Sequence, residues 1–221
     1  MGKPILGYWD LRGLAEPIRF LLHYKKVDFE DKRYAFDKDS WQKDKFNLGL
    51  DFPNLPYYMD GDVKLTQSTA VLRYVARKYG LDGKDEKQKL RVSVAEQQIV
   101  DLRWGLIMLV IRSDYNESAK AEFIKKIPDM LKLWENFIGD KKYLTGDDIT
   151  YVDFMAYDAF DFYRLFHAEA LDDFPKLKAF QNRIKSLPEL QGYLNSSTYK
   201  KWPIFGPMAK FGGGGDPPKH L

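Results

Sequence analysis

The chain has 221 residues, 44% hydrophobic and 15% aromatic, which is enough for a real core in one large domain or two ordinary ones. Its 35 basic and 32 acidic residues leave a net charge of +3, a near balance that argues against a nucleic-acid or membrane-surface protein. Cysteine is absent, so disulfides, CxxC redox chemistry and thiol nucleophiles are excluded together. No run of about 18 apolar residues exists to cross a bilayer. The first residues lack the long apolar stretch of a secretory signal, and Leu6 stands where a myristoylation motif needs Ser or Thr. A cytoplasmic location is the expectation.

Residues 5–9 read as a first strand. Pro17 suits the first turn of a helix whose apolar face is Ile18, Leu21 and Leu22. Residues 29–34 alternate and read as a second strand, followed by a polar stretch over 35–45 anchored by Trp41 and Phe46. Residues 51–68 combine a loop, a hairpin and a helix start. Pro53 and Pro56 push Phe52 and Leu55 towards extended geometry. Asp60-Gly61-Asp62 punctuates a hairpin between residues 57–59 and 63–65. Ser68 is placed as the N-cap of a helix that runs to Tyr79 and is stopped by Gly80, and the free N–H groups behind it make a ready anion site. The order is β-α-β then β-β-α, a small mixed sheet with helices.

Residues 81–88 are polar and mark the best domain boundary, giving domains 1–82 and 83–221. Everything beyond reads as helical. Ile99, Leu102, Leu106 and Leu109 line one long helix, and Phe123, Ile127, Met130, Trp134 and Phe137 repeat the period on the next. Thr150 to Asp153 forms a capping box with Asp in place of Glu. The helix it opens is apolar nearly all round, as befits a buried axis. Leu177, Phe180, Ile184 and Leu187 make a last stripe, and the Gly- and Pro-rich tail from about residue 211 should be loose.

Chemistry is sparse in the residues alone. His23, His167 and His220 have no metal-ligand spacing. The carboxylates scatter over helix faces and caps, where solvated surface is the default. The glycines at 212–215 lack the Lys-Ser/Thr of a phosphate loop. Tyr8-Trp9 is the interesting pair: on a strand the two rings face opposite ways, one to a cleft edge and one to packing. Whether the Tyr8 hydroxyl serves an anion or only packs stays open at this level.

The segments LGYWDLRGLAEPIR, FNLGLDFPNLPYYMDGDVKLTQS and YLTGDDITYVDFMAYD resemble the cytosolic glutathione S-transferases, mu class, over about residues 4–205. That resemblance implies an α+β protein: an N-terminal thioredoxin-like domain that binds glutathione and an all-helical domain that holds the electrophile. It implies attack of the glutathione thiolate on hydrophobic electrophiles, with glutathione a substrate and no cofactor or metal. Tyr8 matches the catalytic tyrosine that donates to the sulfur. Leu55, before a cis Pro56, matches the backbone partner of the cysteinyl unit. Gln67 and Ser68 match the holders of the γ-glutamyl carboxylate, and Trp41 and Lys45 those of the glycyl carboxylate, with Asn54 beside them. Trp9 and Leu14 line the cleft. Asp101 matches a residue that reaches across from a partner subunit, and Phe52 an aromatic key entering the partner, so a homodimer is implied. Trp104 and Ile111, with Leu14 opposite, fall on the electrophile wall. Two departures stand out: the loop between Tyr34 and Trp41 is several residues short, and Ile111 replaces a tyrosine of many mu enzymes. The alternative on the same fold is non-catalytic storage of hydrophobic ligands or conjugates.

Overall fold

A computed structural model describes residues 2–37 and 39–221; Met1 and Lys38, the latter between Tyr34 and Trp41, lie outside it. Four strands, β1 (Ile5–Trp9), β2 (Glu30–Tyr34), β3 (Tyr57–Asp60) and β4 (Val63–Thr66), form one sheet in the order β2-β1-β3-β4. β1 pairs parallel with β2, across the helix α1 (Glu16–Tyr24), and antiparallel with β3. The expected hairpin closes β3 on β4, with Asp60 opposite Val63 and Gly61 at φ 63°. A positive φ at that corner is what glycine supplies without strain.

The register gathers one end of the sheet. Gly7 faces Tyr57 and Tyr57 faces Thr66, while Trp9 faces Tyr34 on the other side. The end of β1, the loop before β3, the exit of β4 and the exit of β2 therefore meet along one edge. Gly7 is required there, because an added Cβ would collide with the Tyr57 ring.

The helix α3 (Ser68–Lys78) begins one residue earlier in its cap than expected. Gln67, not Ser68, is the N-cap: its carbonyl accepts the Val71 N–H at 3.0 Å, and Ser68 is already helical. The short α2 (Gln42–Lys45) was not anticipated. It is fastened to the sheet by Asp44, which accepts from the Tyr34 hydroxyl at 2.6 Å and pairs with Lys32. Phe46, expected as an anchor, is exposed, whereas Trp41 is buried.

Past Leu81 the elements are helices: α4 (Glu86–Val110), α5 (Glu117–Ile124), α6 (Ile127–Ile138), α7 (Tyr151–Phe166), α8 (Pro175–Lys185) and α9 (Pro188–Leu194). The connection is shorter than read, since Asp85 caps α4 and Gln88 is buried in its first turn. The stripe from Phe123 to Phe137 spans two helices rather than one. Pro128 sits in the first turn of α6, where its missing N–H costs nothing but would interrupt a continuing helix. Leu187 likewise falls outside α8 and precedes α9.

α7 is the expected axis, packed against α1, α4 and α8. Its Asp153 accepts from Thr150 N at 2.7 Å and Leu144 N at 2.9 Å, completing the capping box. The tail, expected to be loose, is bonded back on the chain: Ile204 and Phe205 donate to the Gly212 carbonyl, and Arg164 to that of His220. The carboxylates also depart from the solvated default. Glu16, Glu96, Asp153 and Asp158 are all fully buried, and Glu16, Glu96 and Asp158 each face an arginine, as buried charges must.

Candidate active site

Tyr8 lies near the C-terminal end of β1, 7% exposed. The chain turns back at Gly13–Ala15, a single 3-10 turn, and the Leu14 N–H donates to the Tyr8 hydroxyl at 3.1 Å. An oxygen that accepts this bond is held in place and polarised, and its own proton stays free to donate elsewhere. Burial pushes the Tyr8 phenol above its usual range, opposed by the Leu14 bond and the nearby Arg103 charge. The hydroxyl is therefore a donor throughout the neutral range.

The other candidates collect around the same sheet edge. Leu55 is buried and its bond to Pro56 is cis; Asn54 is exposed and its side chain accepts from the Leu55 N–H at 2.9 Å. Gln67 is exposed at φ 69°, a costly backbone for a non-glycine residue and one that clusters at ligand sites. Behind it, the first turn of α3 carries no side-chain cap and no acidic residue, leaving its N–H groups and partial positive charge for an anion. Trp41 stacks with Tyr57, ring centroids 6.0 Å apart, and meets Tyr34 edge-on at 5.3 Å. Lys45 ends α2, its ammonium 5.3 Å from the Phe46 ring centre.

Trp9 is half-buried against Phe36, with stacked rings 4.7 Å apart. Phe36 belongs to the segment between Tyr34 and Trp41 and in turn lies beside Gly206, where an added Cβ would sit 3.7 Å from its ring. No sequence signal separated this phenylalanine from ordinary packing. On α4, Trp104 and Met108 are exposed, as is Ile111 just past its end; their spacing puts them on one face. Arg103 beside them donates to the Gly13 carbonyl, so this end of α4 stands next to the Gly13–Leu14 turn. Asp101 is exposed on α4, and Phe52 is 75% exposed at the far side of the Pro53 bend. Neither touches Tyr8's neighbourhood through any hydrogen bond among the described residues.

Beneath the site lies a charge network that residue types alone did not reveal. Arg12 donates to Asp158 at 2.7 Å and to Asp161 at 2.7 Å, and Arg103 approaches Asp158 at 3.1 Å. The available signal was an aspartate inside a helix apolar on all faces, which demands a cationic partner. Among the described residues no group of three His, Cys, Asp or Glu could hold a metal ion, and no helix is long and apolar enough to cross a membrane.

Comparison with known proteins gives this geometry its frame. The glutathione S-transferase N-terminal domain family model matches residues 4–77, and the C-terminal domain model matches residues 100–197. Glutathione S-transferase Mu 1 of Mus musculus is 48% identical over 93% of this chain and 96% of its own. The class-mu 26 kDa isozyme of Schistosoma japonicum is 46% identical over 98% of this chain and its full length. The crystal structure of the glutathione S-transferase Blo t 8 superposes with a TM-score of 0.89 at 36% identity, covering 94% of this chain and 99% of that one. With a tyrosine hydroxyl fixed at the sheet edge, a helix start that has no side-chain cap, and relatives matched along nearly its whole length, this chain belongs to the mu-class glutathione S-transferases.

Proposed function

We propose that this protein transfers glutathione to hydrophobic electrophiles, with Tyr8 as the hydrogen-bond donor that keeps the glutathione sulfur ionised. A free thiol of this type has a pKa of roughly 8.5, so only a few per cent is nucleophilic at neutral pH. The observation that carries the reading is the Tyr8 hydroxyl: buried, held protonated, and anchored through its oxygen by Leu14 N–H so that its proton is free. The nucleophile belongs to the substrate, so the reaction needs no thiol of the chain, no metal and no prosthetic group.

In this reading Leu55 pairs with the cysteinyl backbone, and Gln67 and Ser68 hold the γ-glutamyl carboxylate at the start of α3. Trp41, Lys45 and Asn54 receive the glycyl end, and Trp9 and Leu14 line the cleft between. Trp104 and Ile111 form the electrophile wall. The working state is a homodimer. Supporting this, Leu90 and Val94 are exposed apolar residues on the α4 face that continues to Asp101, and Phe52 is an unburied aromatic; such a surface needs a partner. Asp101 then reaches the γ-glutamyl amine of the other protomer. The proposed compartment is the cytoplasm, whose thiol pool is kept reduced.

The test is the ultraviolet absorbance of the thiolate in the protein–glutathione complex as pH is raised. A midpoint well below that of free glutathione is expected. A midpoint equal to that of the free tripeptide would leave the protein a binder rather than a transferase.

A further inference from the structure

We infer that Arg103 is a positioning residue for the thiolate step, acting on Tyr8 through a single peptide group. The Arg103 Nη2 donates to the Gly13 carbonyl at 2.7 Å. The Leu14 N–H donates to the Tyr8 hydroxyl at 3.1 Å. Gly13 C=O and Leu14 N–H are the two ends of one planar peptide unit. Whatever grips that carbonyl therefore also aims the N–H that holds Tyr8. A cation at the oxygen further polarises the unit and strengthens its N–H as a donor.

The arrangement looks built to hold that peptide still. Gly13 has φ +48°, and a Cβ there would lie 2.6 Å from the Tyr8 hydroxyl. The Gly13 N–H donates to the Ile204 carbonyl at 3.1 Å, so the residue is gripped on both sides. Arg103 is itself fixed: it is 5% exposed, its Nη1 lies 3.1 Å from Asp158, and its guanidinium stands 5.1 Å from the Phe162 ring centre. Asp158 is fully buried and held from the other side by Arg12. The line of contacts runs from Asp158 through Arg103 and the Gly13–Leu14 peptide to the phenol. Arg103 touches no substrate in this scheme.

This inference rests on the role assigned to Tyr8, and the experiment separates the two. Thiolate titrations of bound glutathione are compared for the wild type, Arg103→Leu, Tyr8→Phe and the double variant. In Arg103→Leu the midpoint is expected to rise by about half a unit to one unit, about a 3- to 10-fold loss of thiolate at fixed pH below it. Turnover of an aryl halide should fall by a like factor at about pH 6.5 and recover above the new midpoint. A purely structural role would lower activity at every pH and leave the midpoint in place. In the Tyr8→Phe background, Arg103→Leu should add no further shift. Should Arg103→Leu not fold, Arg103→Gln carries the test: it removes the charge, keeps a polar side chain facing the Gly13 carbonyl, leaves Asp158 in place, and should move the midpoint the same way by less. A Tyr8→Phe shift with no shift in these variants overturns the inference alone; an unshifted Tyr8→Phe overturns it together with the role of Tyr8.

Discussion

Replacing Tyr8 by Phe removes one oxygen from the centre of the site. The ring is 7% exposed and packed in the core cluster, so Phe fills the same volume and the sheet edge keeps its shape. What disappears is the donor to sulfur, together with the acceptor of the Leu14 N–H at 3.1 Å. Lowering a thiol pKa by about two units takes roughly 2.7 kcal/mol in favour of the anion. A hydrogen bond to a charged group contributes about 1.5–3 kcal/mol, so one phenol supplies most of the shift. The variant should raise the thiolate midpoint by about one to two units and cut kcat/KM for a chloronitrobenzene by roughly 10- to 100-fold at neutral pH. Glutathione affinity, set by contacts at the two carboxylates, should change by less than about 3-fold. Ultraviolet titration of the complex and steady-state turnover measure both quantities. Equal rates for wild type and variant would remove Tyr8 from the mechanism.

Phe52→Ser takes away an aromatic that is 75% exposed in the single chain, and should move the mass in solution towards a monomer and raise the KM for glutathione; a fully active wild-type monomer would contradict the role given to Asp101. Phe36→Ala breaks the 4.7 Å stack with Trp9, which at about 0.5–1.5 kcal/mol should lower the free energy of unfolding by at least that amount. A denaturant midpoint equal to that of the wild type would show that the stack contributes nothing. Burial pushes the Asp153 carboxyl up to about 6, so the folded state binds its proton more tightly than the unfolded chain. Its contribution to stability therefore falls as pH rises from about 4 to about 6 and is flat above. Across that window the denaturation midpoint of the wild type should fall relative to that of Asp153→Asn as pH rises, whatever their offset at low pH; parallel curves, or a relative rise, would refute the sign.

The architecture was legible because it is written in local patterns. Alternation, a Gly61 hairpin corner and Pro17 in a first turn each act within a few residues, and they placed the strands and α1. The family motifs are equally local, so Tyr8, Leu55, Gln67 and Ser68 stand out in the sequence itself. Where a local signal was overlooked, as with Pro128, one expected helix became two.

The chain alone, then, determined its four strands, its main helices, their order and the residues that carry its motifs, since those depend on near neighbours and backbone sterics. Tertiary structure decided what burial and distant pairing decide. It turned Asp158 from a surface carboxylate into the buried partner of Arg12 and Arg103, brought residue 103 onto the peptide after Gly13, and laid Phe36 on Trp9. Such contacts join residues up to 146 positions apart, and a side chain's charge or ring does not say, within its own stretch of sequence, which remote group will face it once water is excluded.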